Sequence, residues 1–96
     1  MITRYLVSYD IADPGRLRKV HGVVKARAQH IQDSLYEALL TETERVRFEA
    51  RLEREINKKE DQVMFINLGS AERKELPEIT TLGLGYQPHT RGSIVL

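Results

Sequence analysis

Asp10 is a lone carboxylate placed where an apolar run gives out. Residues 4–9 (Arg-Tyr-Leu-Val-Ser-Tyr) are rich in aromatic and β-branched types and contain no breaker, which predicts a strand ending at this acid. Asp13 is a good N-cap, and Pro14 fits the first helical position, where its missing N–H would have had no partner. A strand, an acid and a capped helix in that order place a carboxylate at a strand–loop junction, where scaffolds display reactive groups. The same aspartate also suits an ordinary turn. Behind it lies a basic stretch. Residues 1–30 hold six bases against two acids, and the remainder holds nine against twelve. A basic surface near the first helix, including Arg16 and Lys19, could meet phosphates, although charge alone is equally met by a solvated helix face.

The elements that must position these residues follow in order. Alternation along residues 4–11 puts Tyr5, Val7 and Tyr9 on one face, expected under helices, and Leu6, Ser8 and Asp10 on the other. A helix is expected over 14–28, with Leu17, Val20, Val24 and Ala28 as its apolar stripe. His21 reads as a surface or packing residue. Residues 30–40 read as the second strand, with a polar group on each face, so burial on both sides of a monomer is not expected. No base is placed beside Ser34 by sequence. Thr41-Glu42-Thr43-Glu44 is a capping box opening a helix over about 42–56. Phe48, Leu52 and Ile56 make its buried stripe, with Val46 beside it, and its outer face mixes arginine with glutamate in the manner of an ion-paired, solvated surface. Asp61 opens a third strand over 62–68, apolar on both faces and therefore expected to be central or doubly covered. A polar loop over 69–76, a short strand over 78–82, a loop from 83 and an apolar strand over 93–96 complete the chain. Gly83 and Gly85 form only Gly-x-Gly with no following helix, so a nucleotide fingerprint is rejected.

With 96 residues the chain suits one small domain, for which dimerisation would add buried area. The absence of cysteine excludes disulfides and cysteine-ligated zinc, and suits a cytoplasmic location. There is no signal-peptide pattern and no apolar stretch near the ~20 residues needed to span a bilayer, so no membrane partner is expected. The expected fold class is α+β, an antiparallel sheet with helices on one face.

The ordered set Tyr9-Asp10-Ile11, Asp13-Pro14-x-Arg16, Lys19-Val20 and Gln32-x-Ser34-Leu35-Tyr36-Glu37 resembles the CRISPR-associated protein two family, the small subunit of the spacer-acquisition machinery. Leu40, the capped second helix, Asp61-x-Val63, Leu82-Gly83 and the C-terminal aliphatic residues continue the likeness in register. It departs at Ala28-Gln29-His30-Ile31-Gln32, where the family carries a glycine.

The resemblance implies a ferredoxin-like sandwich over residues 1–82, with residues 83–96 as a C-terminal loop and strand that pairs with the partner protomer. For a βαββαβ layout, residues 30–40 must bend into two strands or run as one long one. It implies a homodimer whose two copies of Asp10 meet at the dimer axis and share Mg2+ or Mn2+, with Asp10 both metal ligand and catalytic residue. The activity implied is a metal-dependent endonuclease of RNA or duplex DNA. The other role implied is a non-catalytic scaffold bridging the CRISPR integrase subunit and prespacer DNA. A hard cation on carboxylates supplies both an activated water and charge neutralisation at phosphate. Asp10 has no second carboxylate or histidine beside it in sequence, so slow catalysis is expected. Arg16 and Lys19 are the candidate phosphate contacts. A related ribonuclease toxin and a small-molecule regulatory module are the alternatives on the same fold.

Overall fold

The computed structural model describes residues 1–72 and Leu82. The element order is β1 (Thr3–Asp10), α1 (Pro14–Arg27), β2 (Gln29–Gln32), β3 (Leu35–Leu40), α2 (Glu42–Glu55) and β4 (Gln62–Ser70). The four strands form one sheet in the order β2-β3-β1-β4, with every neighbouring pair antiparallel. This is the ferredoxin-like βαββαβ arrangement.

Residues 30–40 are not one strand but a hairpin. The chain reverses at Asp33-Ser34, and Asp33 takes the left-handed conformation with φ 46°. Aspartate is among the few non-glycine residues that enter this region readily, because its short side chain bonds locally to the backbone. The His30 ring reinforces the turn, its Nε2 lying 2.8 Å from the Asp33 carbonyl oxygen. At position 28 the backbone is extended, with φ −138°, so alanine serves there without strain.

Both helices cover one face of the sheet. Tyr5, Val7 and Tyr9 of β1 pack there with Tyr36, Ala38 and Leu40 of β3, under Val20, Val24, Phe48 and Leu52 of the helices. Each fully buried aliphatic side chain in such a core contributes about 1.5–3 kcal/mol. The helix stripes differ from expectation at their edges. Leu17 is 39% exposed and Val46 51% exposed, while Val23 packs against the core in place of Leu17. Helix starts are as the sequence predicts. The Asp13 carboxylate accepts from the Arg16 N–H at 2.9 Å, and a β-carbon at Gly15 would come within 3.0 Å of that carboxylate. Thr41 and Glu44 complete a reciprocal capping box.

The other face of the sheet carries Leu6, Ser8 and Asp10 of β1, paired with Leu35 and Glu37 of β3 and with Gln62, Met64 and Ile66 of β4. Contrary to the doubly covered strand expected, β4 is an edge strand among the described residues, with Met64 46% and Ile66 42% exposed. It also runs two residues further than expected, through Gly69 in a positive-φ conformation, to pair Ser70 with Thr3. Contrary to expectation again, β3 is buried on both faces at Glu37. Arg4 of the neighbouring strand holds that carboxylate at 2.9 Å, and the two side chains are almost wholly covered. The short strand over 78–82, the loop from 83, the terminal strand over 93–96 and its pairing lie outside the described residues, Leu82 apart.

Candidate functional site

Asp10 ends β1 opposite Gln62 of β4. It is exposed, and its carboxylate takes part in no hydrogen bond or ion pair among the described residues. Alternation sends it to the sheet face away from the helices, at the end of the row Leu6, Ser8, Asp10. The acid is therefore displayed on a regular strand whose inner face is anchored in the core by Tyr5, Val7 and Tyr9.

The two loops beside Asp10 are tied to each other through Asp61. Its carboxylate is fully covered and accepts four hydrogen bonds. Arg16 donates from Nε at 2.8 Å and from Nη2 at 3.2 Å. The backbone N–H groups of Ala12 and Asn57 donate at 2.9 and 2.8 Å. The Arg16 fork, helped by the backbone N–H groups of Asn57 and Ala12, holds the Asp61 carboxyl well below the usual carboxylate range. The β1–α1 loop and the α2–β4 loop are thereby fixed on either side of the strand-end acid. Asp61, read from sequence only as a strand opener, is the residue on which this arrangement turns.

The structure places the three sequence-predicted residues apart. Arg16 is engaged by Asp61, with Glu60 3.8 Å from its guanidinium, and its side chain remains 27% exposed. Lys19 is exposed on α1 and lines a groove between the two helices, on the side of the sheet opposite Asp10. Neither cation is drawn into a cluster with Asp10.

A second polar group lies just inside the strand end. The Tyr9 and Tyr36 hydroxyls lie 3.1 and 3.3 Å from the same Nδ1 of His21, and the two phenol rings stack at 5.9 Å. Burial, followed by the bond to Tyr36, pushes the Tyr9 phenol above its ordinary range. The cluster locks α1 to the strand that carries Asp10. His21 is thus an exposed residue with a defined polar task, a role that its separation from both tyrosines in sequence concealed.

A divalent cation would find at Asp10 an exposed, hard oxygen donor of the right chemical type. Among the described residues there is no group of three or more histidine, cysteine, aspartate or glutamate side chains able to hold a metal. The donor type fits Mg2+ or Mn2+.

The sequence model described as CRISPR associated protein Cas2 matches residues 1–76. The chain belongs to the Cas2 family. Among curated Cas2 relatives, a protein of Rhodospirillum rubrum named CRISPR-associated endoribonuclease Cas2 1 is 33% identical over 92 residues, covering 96% of this chain and 89% of that protein. A protein of Geobacter sulfurreducens named CRISPR-associated endoribonuclease Cas2 is 27% identical over 92 residues, with 96% of each chain covered. Among solved structures, Streptococcus pyogenes Cas2 superimposes with a TM-score of 0.69 at 32% identity, covering 83% of this chain and 99% of that one. A further Cas2 crystal structure superimposes at 0.73 over 94% of this chain and 97% of that one, and its 23% identity speaks to the fold. The ferredoxin-like architecture is that of Cas2. No helix among the described residues is long and apolar enough to cross a membrane.

Proposed function

We propose that this chain is a CRISPR adaptation protein that takes part in the acquisition of new spacers and acts as an endonuclease on RNA or duplex DNA through Asp10. The observation that carries the reading is the isolation of Asp10. It is an exposed carboxylate with no internal partner among the described residues, on a rigid strand, on the same sheet face as exposed Met64 and Ile66. A carboxylate that does no structural task at an element's end is available to a ligand. The apolar residues beside it favour self-association through this face, since a second copy would cover them. In such a homodimer the two Asp10 side chains would share Mg2+ or Mn2+. That ion would polarise a phosphate oxygen and lower the pKa of a bound water. The chain's own part is to present the two carboxylates on strands that do not bend, with the Asp61 clamp holding the adjoining loops clear. The names of the Rhodospirillum and Geobacter relatives support the nuclease reading.

The test is cleavage of end-labelled RNA and duplex DNA with Mg2+ or Mn2+, by the wild type and by Asp10→Ala. The substitution is expected to abolish cleavage while light scattering still reports a dimer. Equal cleavage by both proteins rejects the hydrolytic role, and a monomeric wild type rejects the shared site.

A second reading is favoured by the same lone acid. Among the described residues Asp10 has no histidine bonded to it and joins no cluster of metal-ligating side chains, which supplies little general acid–base chemistry and suits a scaffold that links the integrase partner to prespacer DNA. Under that reading, spacer uptake in cells survives Asp10→Ala, whereas under the catalytic one it fails.

A further inference from the structure

Asp10 has a direct neighbour across the sheet. Gln62, the first residue of β4, is its cross-strand partner. Residues opposite each other in an antiparallel pair point to the same face, with β-carbons about 4.5–5.5 Å apart. Gln62 therefore stands beside Asp10 on the face away from the helices, and it is exposed. Its carboxamide takes part in no hydrogen bond among the described residues. A carboxylate and an amide oxygen thus lie side by side where the two strands meet their loops, and neither is bonded within the described chain.

The Asp61 clamp closes immediately beyond this pair. Asp61 precedes Gln62, and Ala12, whose N–H donates to Asp61 at 2.9 Å, lies two residues past Asp10. Arg16 and the Asn57 N–H complete the grip on the same carboxylate. On the inner side the ladder continues with Tyr9 opposite Val63. Asp10 and Gln62 therefore project from backbone that is tied on both sides of them. A site for a small cation needs its ligands held in this way before the ion arrives.

We propose that Gln62 is a ligand, through its Oε1, of the divalent cation held by Asp10, so that each chain offers a carboxylate–carboxamide pair to Mg2+ or Mn2+. Hard cations take oxygen from carboxylates and from glutamine carbonyls alike. Two carboxylates placed directly opposite each other would repel in the absence of metal. A carboxamide supplies the second oxygen without that repulsion, and being neutral it leaves more of the cation's charge to act on a phosphate. With Oε1 engaged, the Nε2 hydrogens remain free to donate to a phosphate oxygen. The inference rests on the Asp10 reading for the presence of a cation, and it adds the side chain that completes each chain's share of the site.

The experiment is titration of the full chain with Mn2+ in the absence of nucleic acid, read by loss of the free-ion electron paramagnetic resonance signal. The wild type is compared with Gln62→Ala, Gln62→Met, Gln62→Glu and Asp10→Ala. Gln62→Met keeps the length of the side chain and loses the oxygen, whereas Gln62→Glu keeps an oxygen in place. Gln62→Ala and Gln62→Met are each expected to weaken Mn2+ binding by about tenfold, the least that loss of a metal-site partner costs. Gln62→Glu is expected to bind at least as tightly as the wild type, and to melt lower than it in EDTA, where two carboxylates then face each other. Gln62→Ala and Gln62→Met should melt within about 4 °C of the wild type in EDTA, as exposed substitutions do. A larger fall would make Gln62 a structural residue and overturn the inference. Binding that both variants leave unchanged and Asp10→Ala removes overturns the role of Gln62 and leaves the Asp10 site standing. Weakening in Gln62→Ala but not in Gln62→Met assigns the effect to shape and overturns it as well. A wild type that binds no Mn2+, or an Asp10→Ala variant that binds as the wild type does, removes the Asp10 site and this inference together.

Discussion

Arg16 and Asp61, 45 residues apart, meet through two hydrogen bonds in which the guanidinium fork closes on a carboxylate that no solvent reaches. The contact joins the loop that follows β1 to the loop that precedes β4, and β1 and β4 end side by side at Asp10 and Gln62. The position of the strand-end acid is thus underwritten from the far end of the described chain.

A carboxyl held below its ordinary range makes folding pH-dependent in one direction. The native state binds fewer protons than the unfolded state at Asp61, so the stabilisation is complete above the unfolded value of about 4 and is lost as pH falls below it. Asp61→Asn should melt well below the wild type at neutral pH, and the gap should narrow as pH is lowered from about 4 towards 2. Thermal melts followed by circular dichroism across that range check it; a gap independent of pH would show that the charge on Asp61 does not matter.

Tyr9 makes the opposite prediction at the alkaline end. Its phenol is raised, so the native state keeps a proton that the unfolded chain gives up near pH 10. Stability should fall as pH rises past that value. A late component should appear in the ultraviolet titration of the tyrosines, and Tyr9→Phe should remove it.

The capping box of α2 satisfies two N–H groups at 2.8 and 3.2 Å. Thr41→Ala is expected to cost about 1 kcal/mol in urea unfolding. Thr41→Ser should recover most of it, because the hydroxyl is retained.

Among the described residues Asp10 makes no hydrogen bond or ion pair. Asp10→Asn should therefore leave unfolding free energy within about 0.5 kcal/mol of the wild type. The same denaturation measurement would expose a structural role if the loss were larger.

The apolar residues beside Asp10 give a last prediction. Met64→Asp and Ile66→Asp together should shift the protein to a monomer in sedimentation without lowering its helix content, because both side chains are exposed in the single chain. Dimers that persist would move self-association to another face.

Local rules made much of this legible in the sequence. Capping residues marked both helix starts, and period-two alternation correctly assigned Tyr5, Val7 and Tyr9 to the helices and Asp10 to the open face. The hairpin was harder, because Asp33-Ser34 carries no glycine to announce a turn. Leu17, in the first turn of α1, fits the stripe by spacing and yet stays exposed. The largest gap is in ion pairing. Arg4–Glu37 and Arg16–Asp61 join distant segments, and no periodicity in a linear chain encodes which arginine reaches which acid. On α2 the pairing of Arg45 with Glu42 and Glu49, and of Arg51 with Glu55, follows the i, i+3 and i, i+4 spacings that the sequence does show.

The one-sided placement of the helices has an arithmetic consequence. If two copies close through the sheet faces that carry Asp10, Met64 and Ile66, both helical layers are turned outward at opposite ends of the assembly. The dimer then becomes bivalent towards any ligand of that layer, and a contact too weak to last alone would act at high effective concentration once the first is made.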